Sequence, residues 1–463
     1  MKNVSNTIHN RLLAIVGAEH VLSEPESLQD YRRDKSPFAP SELGLVARPA
    51  SADEISAILK LANEHSASVV ARGGGFSLTG LLQSRDSIIV DTRRMNQVIE
   101  LDEVNMTVTA ECGIIMKDLY DHVAARGYYV HTVGIPIGYT TLGGVLSGVQ
   151  GGGYPSTLSV SGNDLYYLLG LKVVLPDGTI VDTNAGGANV HRKRDFVRGA
   201  NAPDLTGLFV GDGGSFGIKA QASVQIFPVP KAKAAGCWDF ADFSELWSVL
   251  LRLTALPTLP YETVMVLQSA PLSMFYFCRA DDDDGAARAA KNIDQICADG
   301  GGILAAKEMQ RHAIEIGESD PDYQDIFVNV DRGLLAFVTG KKEFPNTFSS
   351  IKRYLEEQIE QLDLEELGVS LMIYFCPMLR NAMYTTMSIV FDSETPGSRE
   401  AALELQKRGY EMVVAMGAAP EPHQGFASQA NAAAWSPEYA GLMSGLKKLV
   451  DPKGVLNADV WNL

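Results

Sequence analysis

Two periods organise the apolar positions of this chain. Leu45-Val46-Ala47 reads as a short strand, and Ser51-Ala52-Asp53-Glu54 follows as a capping-box pattern. A hydroxyl and a carboxylate at that spacing satisfy the free donors of a helix start. Ile55, Ile58, Leu59 and Ala62 then recur at helical spacing, which predicts a helix to about His65. Ser68-Val69-Val70-Ala71 predicts a second strand, opening directly into Arg72-Gly73-Gly74-Gly75-Phe76-Ser77-Leu78-Thr79-Gly80, and Ile88-Ile89-Val90-Asp91 a third.

A second unit spans about 96–228. Val98 to Leu101 and Thr107 to Glu111 read as paired strands about a turn at Asp102–Asn105. A helix is expected over Met116 to Arg126. A glycine-rich, uncharged stretch follows at 134–162. Leu171–Leu175 and Thr179–Asp182 flank Pro176-Asp177-Gly178, a hairpin signal. Leu208 to Val210, the run Gly211-Asp212-Gly213-Gly214-Ser215-Phe216-Gly217, and Ala222 to Phe227 close the unit.

Pro228-Val229-Pro230 marks a boundary, after which the composition is that of an α+β domain. Asp281 to Asp284 are four consecutive acids, read as a solvated loop rather than a metal site, since neighbouring acids do not converge on one ion. Leu446 to Val450 predicts a helix, followed by a turn over Asp451-Pro452-Lys453-Gly454-Val455-Leu456-Asn457. The expected division is 1–228 (subdomains about 1–95 and 96–228), 229–445 and 446–463.

Charge removes several classes. The 463 residues carry a net charge of −17, from 39 basic and 56 acidic side chains. That balance argues against nucleic acid, which is held by Lys and Arg on phosphates, and against anionic membrane surfaces. The five cysteines, Cys112, Cys237, Cys278, Cys297 and Cys376, are scattered and form no CxxC. They make neither a disulfide framework nor a zinc site, and fit a reducing compartment. The N-terminus lacks a signal-peptide pattern and no apolar run reaches about 18 residues, so a soluble, cytoplasmic protein is expected.

The glycines carry the chemistry. Three in a row after a strand let backbone approach a ligand closely, and successive N–H groups then form a nest for an anion such as a pyrophosphate. Ser77 and Thr79 add hydroxyl donors. A tight turn is the other reading of Arg72–Ser77. Gly73 and Gly75 begin a GxGxxG, but Leu78 stands where the third glycine belongs, and no GxxxxGK[ST] occurs, so the Rossmann and P-loop readings fail. Thr141-Leu142-Gly143-Gly144 and Gly151-Gly152-Gly153-Tyr154 form a second tract. It suits backbone passing close to something flat or extended, or else loops between short strands.

In order, Arg72–Gly80, Thr141–Gly144, Gly170–Gly178, Asp204–Gly217 and Asp451–Asn457 resemble the vanillyl-alcohol oxidase / p-cresol methylhydroxylase superfamily of FAD enzymes, which includes FAD-linked 2-hydroxyacid dehydrogenases. The resemblance covers 45–228 well, 446–457 less closely and the region between weakly. It implies an α+β fold: a two-subdomain FAD-binding domain with an α+β substrate (cap) domain. By that resemblance residues 72–77, that is Arg72, Gly73, Gly74, Gly75, Phe76 and Ser77, wrap the pyrophosphate through backbone N–H groups, and Gly80 also binds the cofactor. Residues 135–144, with Pro136, Thr141, Leu142, Gly143 and Gly144, run beside the flavin ring. Residues 211–218, with Gly217 and Ile218, support the flavin and its adenosine half, Gly148 and Gly153 also bind the cofactor, and Asn457 matches the near-terminal Asn that returns to the FAD domain.

Departures from the pattern are informative. Phe76 stands where many relatives tether FAD through His, and 131–154 contain no Cys, so non-covalent FAD is expected, with a cap histidine as the remaining route to a covalent bond. Ser161-Gly162-Asn163 replaces the Tyr-Gly-Asp of aromatic alcohol oxidases, with Asp164 next. The cap segment Tyr374 to Tyr384 lacks the metal-binding histidines of the hydroxyacid dehydrogenases, and His423 alone does not make a divalent site, so no metal is expected.

Candidate catalytic residues are Tyr374, Arg380, Tyr384 and His423. The first three fall on one face if their strand is unbroken, a condition that Pro377 strains. An Arg can clamp a carboxylate or phenolate, and a Tyr or His can act as base. A purely structural role is the alternative for each, as it is for Tyr128, Tyr129 and His131, which precede the ring-facing stretch. The expectation is an FAD-dependent oxidoreductase acting on a hydroxyl-bearing carbon of a small, aromatic or carboxylated molecule, with oxygen or another oxidant as electron acceptor. Rival readings are an FAD-linked 2-hydroxyacid dehydrogenase and a flavin-binding scaffold without turnover. Assembly into a homo-oligomer is left open.

Overall fold

The computed structural model describes residues 2–38, 44–77, 87–130, 137–148, 167–183, 198, 203–318, 330–378, 380–420, 426–457 and 460–461. Among the described residues three sheets carry the fold. The first has four strands in the order Val21–Leu22, Leu45–Ala47, Ile88–Asp91, Val69–Arg72, the last three mutually parallel. The helix Ala52–His65 crosses between two of them. Its start follows the expected pattern: Ser51 Oγ accepts from Glu54 N (3.1 Å), while Glu54 reaches back to Ala50 N (2.8 Å). Ile55, Ile58, Leu59 and Ala62 are fully buried against the sheet, together with Leu12 from the helix Lys2–Val16.

A six-stranded sheet forms the second unit. Val98–Asp102, Thr107–Glu111, Ile218–Pro228, Leu168–Val174 and Ile180–Asp182 lie in that order, with Tyr128–Val130 pairing the end of Ile218–Pro228. Asp102 ties the first turn by accepting from Val104 N and Asn105 N (both 3.0 Å). The helices Met116–Ala124 and Leu142–Gly148 cover one face through Leu119, Val123, Leu142 and Val145. Near the other end Val174, Ile218 and Ala220 join the core of the first sheet, so the two units share one apolar seam.

Past Pro228 the chain enters an eight-stranded antiparallel sheet that begins with Ala232–Phe240. Its remaining strands are Leu272–Ala280, Thr263–Leu267, Ser370–Met378, Ala382–Val390 and Arg332–Gly340, with Ile303–Leu304 and Ala419–Pro420 at the edges. Side chains alternate between its faces. One face is packed by the helices Phe243–Ala255, Asp283–Asp299, Phe344–Gln361 and Ser398–Ala415 into the largest core. The other bears Phe275, Phe277 and Met265 under the helix Lys307–Glu318, and Leu334, Ala336, Cys376 and Tyr384 further along. The acids at 281–284 are exposed as expected, but they begin a helix instead of a loop: Asp282 Oδ1 caps Gly285 N at 2.6 Å. Negative charge at a helix N-terminus meets the free donors and the dipole there.

Candidate flavin site

The first glycine loop and the second tract meet directly. Gly75 has φ +71°. A Cβ on Gly73 would overlap the Thr141 hydroxyl, and one on Gly74 the Tyr139 carbonyl oxygen. The Phe76 and Tyr139 rings lie 6.0 Å apart. No residue but glycine fits this approach without the loop shifting.

Arg72 closes the strand Val69–Arg72 and is 6% exposed. Its guanidinium lies 4.7 Å from the centroid of the Tyr31 ring and donates to the Asp30 carbonyl at 2.9 Å, while its Nε is buried without a hydrogen-bond partner. Burial, and then the like charge of Arg93, hold its pKa below the ordinary arginine value. Beneath it Tyr31 donates to Asp91 (2.7 Å), which Arg93 also holds at 2.8 Å. Burial raises the Asp91 carboxyl, but Arg93 outweighs it and leaves the net shift downward. A buried cation beside three glycines suits a pyrophosphate.

The third tract is locked to the C-terminal return. Gly211, Gly213 and Gly214 all have positive φ. Asp212 pairs with Lys219 at 2.7 Å, both side chains buried, and accepts from Gly214 N at 2.8 Å. Lys447, buried on the helix Pro437–Val450, donates to Ser215 O, Asp451 Oδ2 (both 2.7 Å) and Leu456 O (2.8 Å). Burial lowers its pKa, countered by Asp451. Asn457, itself at φ +44°, donates to Gly213 O (2.7 Å) and accepts from Ala71 N (3.3 Å), while its N–H bonds Val69 O (2.9 Å). One side chain thus joins the strand feeding the first loop to the third tract.

The expected cofactor residues divide by what they can offer. Arg72, Gly73, Gly74, Gly75, Phe76 and Thr141 gather where the two tracts meet, with Thr141 Oγ1 accepting from Gly144 N at 3.2 Å, while Gly143 packs on Cys112 and the Ser77 carbonyl accepts from Lys35 N at 3.0 Å. The Leu142 and Ile218 side chains are buried in the apolar cores. Gly148 ends its helix beside Ser147, whose carbonyl receives Gly213 N at 3.0 Å. Gly217 packs on Val173. Gly80, Pro136, Gly153, His131 and His423 lie outside the described residues.

Among the cap candidates, Tyr374 and Tyr384 share the sheet face opposite the large core, Tyr384 fully buried and Tyr374 partly. Arg380 does not join them. The segment is a hairpin, with Ser370–Met378 pairing Ala382–Val390, so the alternation expected of one continuous strand breaks at the turn. Arg380 instead donates to the carbonyls of Thr254 (3.1 Å), Leu256 and Pro257 (2.9 Å), capping the end of Phe243–Ala255. That contact spends its donors on backbone.

Other residues on this face carry no signature in the sequence. Thr386 and Ser388 follow Tyr384 at two-residue steps, and their hydroxyls are buried without hydrogen-bond partners. Arg279 follows Phe275 and Phe277 in the same way, and its guanidinium sits 5.3 Å from the Tyr129 ring centroid. The cap face therefore meets the six-stranded sheet at Tyr129, whose ring is 5.8 Å from Phe227.

Residues 44–184 match the FAD binding domain family. Among curated proteins, a glycolate oxidase subunit of Bacillus subtilis is 30% identical over 231 residues, which are 50% of this chain and 47% of that protein. A D-2-hydroxyglutarate dehydrogenase of Stutzerimonas stutzeri is 26% identical over 243 residues, 52% and 50% of the two chains. The chain spans about half the length of the curated relatives it matches. Two solved structures match along the whole chain. A 4-ethylphenol oxidase from Gulosibacter chungangensis, in complex with isoeugenol, aligns with TM-score 0.83 at 16% identity, covering 100% of this chain and 98% of the other. A p-cresol methylhydroxylase with substrate bound aligns with TM-score 0.81 at 16% identity and the same coverage.

Proposed function

We propose, for a chain that carries an FAD-binding domain and has the fold of p-cresol methylhydroxylase, that it is an FAD-dependent oxidoreductase oxidising a hydroxyl-bearing carbon of a small organic molecule. Bound FAD supplies the two-electron redox chemistry. The chain's residues do the rest. The backbone of 72–77, with the Arg72 charge behind it, suits the pyrophosphate. The Thr141–Gly144 backbone suits the flank of the ring. Asn457 and the Asp212–Lys219 pair hold the third tract in place. The cap face that presents the partly exposed Tyr374, with Tyr384, Thr386 and Ser388 buried behind it, suits the substrate, and a tyrosine in its phenolate form is the base to receive its proton. The observation that carries the reading is the convergence of the first two glycine tracts at a contact that excludes a Cβ.

A second reading, oxidation of a 2-hydroxyacid, draws on the identity to the glycolate oxidase subunit and the D-2-hydroxyglutarate dehydrogenase. An anaerobic screen separates them. The holoprotein is mixed with 4-alkylphenols, benzylic alcohols and D-2-hydroxyacids, and loss of visible absorbance is followed. Bleaching by a phenol or benzylic alcohol supports the first reading, and bleaching by hydroxyacids alone the second. No bleaching by any of them would leave a flavin-binding scaffold. Non-covalent attachment, use of oxygen or another acceptor, and a cytoplasmic location belong to the same proposal. Among the described residues no helix is long and apolar enough to cross a membrane.

A further inference from the structure

The cap face holds a buried acid–base pair that the reading above leaves unused. Glu262, just before the strand Thr263–Leu267, is 8% exposed. Its Oε2 lies 2.6 Å from Arg279 Nε as an ion pair, and neither carboxylate oxygen has a hydrogen-bond partner. The Arg279 side chain keeps 21% of its surface exposed, and its guanidinium sits 5.3 Å from the Tyr129 ring centroid. The other groups acting here are Lys233 on Ala232–Phe240, Cys278 beside Arg279, and Tyr167 at the start of Leu168–Val174. Burial pushes the Glu262 carboxyl up to about 7, with Arg279 and then Lys233 reversing only part of the shift. Burial, then Glu262, pushes the Tyr129 hydroxyl up to about 12, so at neutral pH it remains a donor.

The location matters as much as the pair. Tyr129 stands five residues before the glycine-rich stretch that begins at 134, and Tyr167 five residues after its end at 162. The rings of both flank Phe227, at 5.8 and 5.0 Å. A small anion approaching the open edge of Arg279 competes with Glu262 for one positive charge. Two carboxylates about one guanidinium repel, and the group already brought near neutrality takes the proton.

We infer that Arg279 and Glu262 form a proton-coupled anion subsite, in which the guanidinium receives the carboxylate of a small organic molecule while Glu262 takes up one proton. The charges balance: an ion pair, an incoming anion and a proton become a guanidinium–carboxylate pair and a neutral Glu262. This rests on the flavin reading and adds a carboxylate to its substrate.

Calorimetric titration of the holoprotein with benzoate, in buffers of different ionisation enthalpy, tests it. At about pH 8, above the Glu262 value, binding is expected to take up close to one proton. At about pH 5.5, where Glu262 is already neutral, uptake should approach zero. Affinity should fall about tenfold per pH unit above 7. Glu262→Gln should bind benzoate with no uptake and a flat pH dependence, and Arg279→Gln should not bind it. Uptake that persists in Glu262→Gln, unchanged binding in Arg279→Gln, or no binding by the wild type would overturn the inference. If Arg279→Gln does not fold, Glu262→Gln alone decides. Flavin content is read on the same samples: a flavin-free preparation defeats the flavin reading, while the benzoate titration still tests the subsite.

Discussion

At Gly74 the site depends on an atom that is missing. A side chain there would meet the Tyr139 carbonyl, so Gly74→Ala has to push the two tracts apart. The substitution is expected to leave the fold intact and weaken FAD binding by about tenfold or more, that is ~1.4 kcal/mol, read by titrating apoprotein with FAD. Unchanged affinity would show that the contact is incidental. Glu262 gives a prediction of the opposite kind. Its folded pKa, about 7, stands above the ordinary 4.5, so between those values the folded protein binds the extra proton. The group's contribution to stability is full below about pH 4.5 and is lost as pH rises through 7. Wild type should therefore lose stability relative to Glu262→Gln across that window, by an amount on the order of a few kcal/mol, measured by urea denaturation at several pH values. The glycine loop was legible because it is contiguous. The Glu262–Arg279 pair was not: seventeen positions separate its members, and only the antiparallel pairing of Thr263–Leu267 with Leu272–Ala280 brings them together.

Among the elements, local chemistry read well and long-range pairing did not. Ser51 and Glu54 announced their helix through groups only three residues apart, and the structure contains both bonds. Ser51→Ala should cost about 1 kcal/mol, seen as a shifted denaturation midpoint with unchanged slope. The stretch from Tyr374 to Tyr384 misled because alternation assumes an unbroken strand. A turn at 380–381 carries no glycine or proline to mark it, and it sends Arg380 to the end of Phe243–Ala255. The C-terminal return is the element on which the third tract hangs. Lys447→Met leaves Asp451 without its buried partner and the Ser215 and Leu456 carbonyls without a donor. A loss of about 3–5 kcal/mol is expected, along with weaker flavin retention. A variant with wild-type stability and flavin content would mean that this knot does not support the site.

For the whole molecule, one architecture joins two small sheets that share a seam to a large sheet whose second face meets them at Arg279 and Tyr129. The order of the glycine tracts in the sequence was enough to suggest the fold, since each tract lies at a strand end and the strands fix where those ends meet. The cap face proposed for the substrate was far less legible, because Tyr129, Arg279, Tyr374, Tyr384, Thr386 and Ser388 are scattered over several strands and ordinary in any one of them. The flavin is expected to be held without a covalent bond, since Phe76 stands in the first loop and 131–154 contain no cysteine. The most direct test is the visible absorbance spectrum of the purified protein, repeated on the supernatant after acid precipitation. Flavin bands that pass entirely into the supernatant are the expected result. A preparation that stays colourless after incubation with FAD would contradict the central claim, and colour retained in the pellet would contradict the non-covalent attachment.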